Sequence, residues 1–513
     1  MLPRSSTDSR SSIDSSFSSV SSSGTSLTSV ESSDTSPIRV FLVQTARGLF
    51  SSSGGYKANL CLLRYLASRG HVVRQLCYFY RNEVEEYVEK LAQSGGHDPR
   101  LRRRQLHLRA ETGDRGTDIK VVELTMDDGV EIVALEKEAF DAAFGGKENI
   151  HKAMERETAE YIEDEIEEFS PTHIISNDGL SMQVSSSLEL PNTDVCRVAI
   201  VHTAEQLPFG PFAGGVPGHA SSPREFELLR QLDGIWSVST AIKQYALNHG
   251  QLQTDFFVHH PWTYLEEKKH EMPAQLHNWD KNFVGMVNPC PVKGSGILVN
   301  LAKACPHLDF LVYKSWGFDE ELGRQMEDSQ NITLRPTCAN MDEAWQAMKV
   351  LLVPSVWYEA WGIVVIEAHL RGIPVICSDA GALPETMRGL DYVVPVNAIK
   401  GQRDADGTYI IPEQDVTPWV DVLNELMSNR ERYEKLSRKV RNATKQWLAN
   451  LDEAALEDWI PVEKTSAVVL DGQKAPASSI NDCARLYATK REVIQDVTFE
   501  VALQVHLQGP VQC

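Results

Sequence analysis

Apolar periodicity is missing from residues 1–37, MLPRSSTDSRSSIDSSFSSVSSSGTSLTSVESSDTSP, where serine dominates. Such a stretch cannot bury enough apolar surface to fold, so it is expected to be a disordered tail, open to phosphorylation and without a catalytic part. The pattern changes at Ile38. IRVFLVQTA is short, continuously apolar and rich in β-branched residues, as a buried strand is. It is followed by the loop GLFSSSGGYKAN, the helical pattern LCLLRYLASRG with Gly70 at the expected C-cap, and a second strand, HVVRQLCYF. This order is a βαβ unit and predicts a parallel sheet.

Residues 93 to 168 are less regular and strongly charged. The basic run Arg100 to Arg104 reads as a solvated loop, and VVELTMDDGVEIVAL as a hairpin turning at Asp127-Asp128-Gly129. The acidic helix around YIEDEIEEF leads into the strand THIISND. CRVAIVHTAEQ is a further buried strand ending near His202, and GIWSVSTAIKQYALNHG a strand followed by a helix. The polar stretch His259 to Asn282, with two prolines, reads as a linker, and its pair His259-His260 as solvated. A second α/β series begins at FVGMVNP and runs through GILVNLAKAC, DFLVYKS, DEAWQAMK and VLLVPS.

The organisation expected is therefore a tail over 1–37, an α/β domain over 38–258, a linker over 259–282 and a second α/β domain over 283–450. A helical extension over 451–513 follows, partly packed back on the first domain. Both domains read as doubly wound parallel sheets.

Composition narrows the function. With 513 residues, 42% hydrophobic and 24% charged, the chain is long enough for two or three domains of ordinary globular make-up. A net charge of −21 argues against nucleic acid as a partner, while leaving room for a small anion held by local cations and amides. Nine scattered cysteines without a CxxC indicate reduced thiols. No apolar run reaches the ~18–20 residues of a membrane span. The N-terminus lacks a signal-peptide core, and Asp8, Asp14, Glu31 and Asp34 argue against a transit peptide, so a cytoplasmic location is expected.

The richest chemistry lies in PSVWYEAWGIVVIEAHLRGIPVICSDAGALPE. A strand ends in the loop VWYEAWG, a helix from about Gly362 to Arg371 follows, and ligands of open α/β sheets bind at such strand ends. Glu359 stands just before the helix and Glu367 a turn and a half inside it. The helix start offers free amides over Ala360, Trp361, Gly362 and Ile363 and a positive dipole end of ~0.5 charge. An anion cradle with a carboxylate on either side suits a nucleoside-diphosphate sugar, whose phosphates take the amides and whose hydroxyls take the carboxylates.

This string resembles the E-x7-E signature of retaining glycosyltransferases with the GT-B fold, in particular glycosyltransferase family 4. The resemblance runs in motif order over most of residues 38 to 450. It implies two Rossmann-like domains facing across a cleft, with Glu359 on the donor sugar, Glu367 on the ribose, and the amides from Ala360 to Ile363 on phosphate or sugar. VGMVNPCPVKGSG is similar to the family's first C-domain strand and Lys-Gly loop, which implies that Lys293 neutralises the leaving diphosphate. The glycine turn from Gly381 to Glu385 is matched too, Glu385 being structural. One residue departs from the pattern: Met286 follows Gly285 where the family has an arginine, and Asn288, Lys314 or backbone amides would have to compensate.

On the N-terminal side the resemblance implies that Gly54 and Gly55 lie against the donor phosphate and that His202 is catalytic, facing the reacting sugar. Glu205 and Ser176-Asn177-Asp178 lie in equivalent loops, within reach of donor or acceptor. The expected activity is transfer of a sugar from a nucleotide sugar, UDP-linked rather than GDP-linked, to an acceptor hydroxyl with retention. No metal or other cofactor is expected: the histidines other than His202 show no ligand spacing, and Asp404-Ala405-Asp406 reads as a turn. The acceptor is an unidentified small molecule, glycan or lipid. The alternatives are a sugar phosphorylase or a nucleotide-sugar epimerase on the same fold. A non-catalytic nucleotide-sugar-binding protein is a further alternative, motivated by Met286. No dinucleotide fingerprint G-x-G-x-x-G is present, which disfavours an NAD enzyme.

Overall fold

The computed structural model describes residues 37–459, except for 49–53, 81–82, 94–99, 109–116, 137–149, 178, 188–194, 214–222, 262–271, 316, 319, 337–340, 391, 406–407 and 453. The serine-rich stretch 1–36, Asp178, the second aspartate of the Asp404–Asp406 turn and residues 460–513 of the expected extension thus lie outside the described residues.

The first half is a nine-stranded sheet. Its strands are β1 (Arg39–Gly48), β2 (Val72–Phe79), β3 (Arg100–Leu108), β4 (Thr117–Thr125), β5 (Glu131–Glu136), β6 (His173–Ser176), β7 (Cys196–Val201), β8 (Gly234–Ser237) and β9 (Phe256–Val258). They lie in the order β3-β4-β5-β2-β1-β6-β7-β8-β9, parallel throughout except where β4 runs antiparallel to both β3 and β5. The central β1 shows why its sequence is continuously apolar. Val40 and Leu42 meet Leu62, Leu63 and Leu66 of the helix Gly54–Ser68 on one face. Phe41 and Val43 meet Ile162, Ile166 and Phe169 of the helix Ile150–Phe169 on the other, so both faces are covered.

The second half is a six-stranded, all-parallel sheet. Its strands are β10 (Phe283–Val287), β11 (Asp309–Tyr313), β12 (Ile332–Arg335), β13 (Met348–Val353), β14 (Val375–Ser378) and β15 (Val393–Val394), in the order β12-β11-β10-β13-β14-β15. The described residues from Ile38 to Trp459 form one compact unit. Apolar packing continues between the two sheets, for instance where the Phe212 ring meets Trp357 at 4.8 Å. The helix Ala454–Trp459 returns to the first half, where Glu457 pairs with Arg69 and His71 at 2.9 Å each and Trp459 stacks on Phe257.

Two sequence-based expectations are corrected. The run Arg100 to Arg104 is not a loop but part of edge strand β3. Arg102 stands opposite Glu123 in the ladder and pairs with it, Arg103 reaches Glu85, and Arg104 reaches Glu123 and the buried Glu165. Charge is compatible with a strand here because it is an edge and its partners carry the opposite sign. Nor is the pair His259-His260 solvated. His259 is 4% exposed, and the His260 ring stacks on Trp361 with centroids 4.1 Å apart, where the chain passes from one sheet to the other. Burial lowers the pKa of both.

Candidate active site

The chain leaves β13 at Val353 and runs through a loop to the helix Ile363–Leu370. This loop is fastened to the one after β10. The Val292 carbonyl oxygen accepts hydrogen bonds from the amides of Val356 and Trp357, each 3.1 Å long. So close an approach requires Gly294, whose φ is +85° and where a Cβ would sit 2.0 Å from the Pro354 carbonyl oxygen. On the other flank the Ala382 amide donates to the Glu359 carbonyl at 2.7 Å. Gly381, with φ of +60°, leaves no space for a Cβ, which would lie 2.3 Å from that same oxygen. The glycine turn after β14 thus fixes the backbone of Glu359.

Held this way, Glu359 Oε1 lies 2.5 Å from Lys293 Nζ. Burial would lower the lysine's pKa, but the charge and hydrogen bond of Glu359 outweigh it and raise the value. An ion pair therefore stands at the helix start. Met286 is 1% exposed in the middle of β10, paired with Val312 and Leu352, so the departure seen in the sequence falls on a core position. Asn288 occupies the exit of that strand, in a left-handed conformation with φ of 61°, and its amide donates to Tyr313. Lys314 is engaged elsewhere, its Nζ 4.4 Å above the Phe318 ring and 3.9 Å from Glu327.

From the first half, the helix Gly54–Ser68 points its own start at the same place. It begins at Gly54, earlier than the apolar pattern from Leu60 predicts. A Cβ on Gly54 would lie 2.6 Å from Cδ1 of Ile363, and one on Gly55 3.1 Å from Cγ of His202. Two helix starts therefore face each other, each with backbone N–H groups that lack intrahelical partners.

His202 follows β7 and is tied into an amide network. Its Nε2 lies 2.8 Å from Asn59 Oδ1, and Asn59 Nδ2 donates to Gln44 Oε1 at 2.9 Å and Asn177 Oδ1 at 2.8 Å. With both donors of Asn59 used, its oxygen must accept, so His202 carries its proton on Nε2 and keeps Nδ1 as an acceptor. Burial lowers its pKa to about 4, and the ring is neutral at physiological pH.

Glu367 is half-buried on the Ile363 helix. Burial raises its pKa, against the opposing charges of Lys57, from the first half, and Arg371. Glu205 is almost fully buried after His202, within electrostatic reach of Lys293 and Glu359. The Trp361 side chain turns away from the helix start to lie between His260 and Trp447. Glu385 is structural: its two carboxylate oxygens accept from the amides of Thr240 and Ala241, at the start of the helix Thr240–Gly250, at 3.0 and 3.2 Å. Tyr358 adds a hydrogen bond to the Ala241 carbonyl, 3.0 Å long. The sequence reading missed Asn59, Gln44 and Lys57. The one legible signal was Asn59, a polar residue on the otherwise apolar side of its helix.

The chain is similar to known proteins in sequence and in fold. Residues 320–443 match the family model described as glycosyl transferases group 1. A D-inositol 3-phosphate glycosyltransferase of Mycobacteroides abscessus is 26% identical over 155 residues, which cover 28% of this chain and 31% of that protein. The chain thus aligns with less than a third of that relative. Sucrose-phosphate synthase of Thermosynechococcus elongatus superposes with a TM-score of 0.55 at 13% identity, over 89% of this chain and 100% of that one. Anabaena HepE, solved with UDP and glucose, superposes with a TM-score of 0.51 at 12% identity, over 82% and 99%. The fold is GT-B, with two Rossmann-like sheets.

Proposed function

We propose that this GT-B chain, with its group 1 glycosyl transferase segment, is a retaining glycosyltransferase that moves a sugar from a UDP-sugar to an acceptor hydroxyl without a metal ion. The observation that carries this reading is the Lys293–Glu359 pair, 2.5 Å long, with Glu359 in the loop leading into the Ile363 helix, whose first residue packs on Gly54. The donor diphosphate would take the ammonium of Lys293 and the amides from Ala360 to Ile363, while Glu359 turns to the sugar hydroxyls. Glu367 would receive the ribose hydroxyls. Gly54 and Gly55 would let the opposite helix start approach the phosphate, and Asn288 would take part in the same donor site.

In the reaction, the bond between the anomeric carbon and the phosphate oxygen breaks. The acceptor oxygen bonds to that carbon from the same face, and its proton passes to the departing phosphate oxygen. The chain supplies positioning and charge stabilisation rather than a dedicated base. His202 fits this role as a neutral hydrogen-bonding group, since its pKa of about 4 leaves it no proton to donate beyond Nε2–H. The UDP preference draws support from HepE, which was solved with UDP.

A melting screen with UDP- and GDP-sugars, in the presence and absence of EDTA, tests the donor. A UDP-sugar is expected to raise the melting temperature equally in both conditions. Proton NMR of the product tests stereochemistry: an α-linked product from an α-linked donor is expected. Inversion would refute the retaining assignment, and indifference to every nucleotide sugar would refute the donor site.

A further inference from the structure

Glu205 is the cleft carboxylate to which donor binding assigns no partner. It lies in the single turn Ala204–Gln206 after β7 and is 6% exposed. Thr203 and its own backbone amide hold the carboxylate, yet Oε2 has no hydrogen-bond partner among the described residues. A buried acceptor left unpaired is costly, so a donor arriving from outside the chain would relieve it. Around it stand Lys293, Glu359 and the rings of Tyr245 and Tyr409. The Tyr245 hydroxyl is committed to the Phe209 carbonyl and the Phe212 amide. Tyr409, from the second half, is half-buried and packs edge-on against Trp357 with centroids 4.8 Å apart.

We propose that Glu205, together with the ring of Tyr409, which packs on Trp357, forms the acceptor subsite, and that this subsite takes an uncharged, hydroxyl-rich acceptor such as a sugar or polyol and rejects a phosphorylated one. The inference rests on the transferase reading above. A hydroxyl can donate to Oε2 while the apolar body of a sugar lies along the rings, the usual composition of a small-molecule site. An acceptor phosphate would instead confront Glu205 and Glu359, with Lys293 the ammonium between them and already required by the donor diphosphate. Lys57 stands toward Glu367 on the other flank, and His202 is neutral, so neither offsets that charge. The chain would differ here from the Mycobacteroides relative, whose name specifies an inositol phosphate.

The test is saturation-transfer NMR on the full chain saturated with UDP, with glucose and glucose 6-phosphate as matched probes. Glucose should give a signal about fivefold stronger than glucose 6-phosphate, and Glu205→Ala should lower it about fivefold. The isosteric Glu205→Gln, which keeps the volume, should fall between, and Glu205→Lys should reverse the preference, which a merely structural role would not do. The proposal is overturned if glucose 6-phosphate binds as well as glucose, if glucose gives no signal, or if Glu205→Gln and Glu205→Ala leave it unchanged. The UDP-induced rise in melting temperature separates the two readings. Its absence in the native chain counts against the donor site; its presence with a failed probe pattern counts against the acceptor subsite alone.

Discussion

The helix starts at Gly54 and Ile363 occupy equivalent places at the carboxyl ends of their sheets but are equipped in opposite ways. The Ile363 start carries opposite charges, Lys293 and Glu359, joined by a 2.5 Å contact and fixed by the backbone fastenings at Val292 and Ala382. Apart from Lys57, whose charge acts on Glu367, the Gly54 start carries neutral groups: His202, Asn59, Gln44 and Asn177 linked by amide hydrogen bonds. Charges suit a partner that brings its own charge, and a neutral network suits the approach of an uncharged group. One fold element thus serves two chemistries, and most of the groups that divide them come from outside the two helices: Gln44 from β1, Asn177 and His202 from beyond β6 and β7, and Lys293 and Glu359 from the loops after β10 and β13.

Breaking the charged side should cost most. Lys293→Ala and Glu359→Ala are each expected to lower turnover about 10²–10³-fold, roughly 3–4 kcal/mol of transition-state stabilisation, with the fold intact by circular dichroism. Gly381→Val comes next. Its Cβ would lie 2.3 Å from the Glu359 carbonyl oxygen, so a loss of roughly 2–4 kcal/mol in urea unfolding is expected, together with lost turnover.

The neutral side is probed by pH. The unfolded chain protonates His202 near 6.5, and the folded chain only near 4. Stability from the neutral ring is therefore complete above about pH 6.5 and lost as the pH falls toward 4, by at most about 3 kcal/mol. Urea midpoints of the native chain and His202→Gln between pH 7 and 4.5 should diverge by part of that amount. The smallest effect is expected from Tyr358→Phe, which removes one hydrogen bond between the halves, about 1 kcal/mol in the same measurement.

The pattern of the chain made much of this legible. The runs at Val40–Val43 and Met348–Leu352 are apolar on every residue but Lys349 because both faces of a central parallel strand are covered, and that composition is local. The Asp127–Gly129 turn and the helix after Gly362 were legible for the same reason. Arg100 to Arg104 was not, because Glu85, Glu123 and Glu165, which balance it, come from three other elements. His259 and His260 looked solvated because Trp236, Trp361 and Trp447, which pack on them, lie in separate segments.

The sequence by itself determined the succession of strands and helices, the GT-B architecture and the presence of Lys293 and Glu359 at loop ends, since each depends on neighbours a few positions away. Tertiary structure alone decided that Met286 is a core residue, that Asn59 sets the tautomer of His202, and that Glu205 joins the charges of Lys293 and Glu359. Those facts depend on groups brought together from up to 154 positions apart in the chain (Glu205 to Glu359), and burial and charge act through space rather than along the backbone.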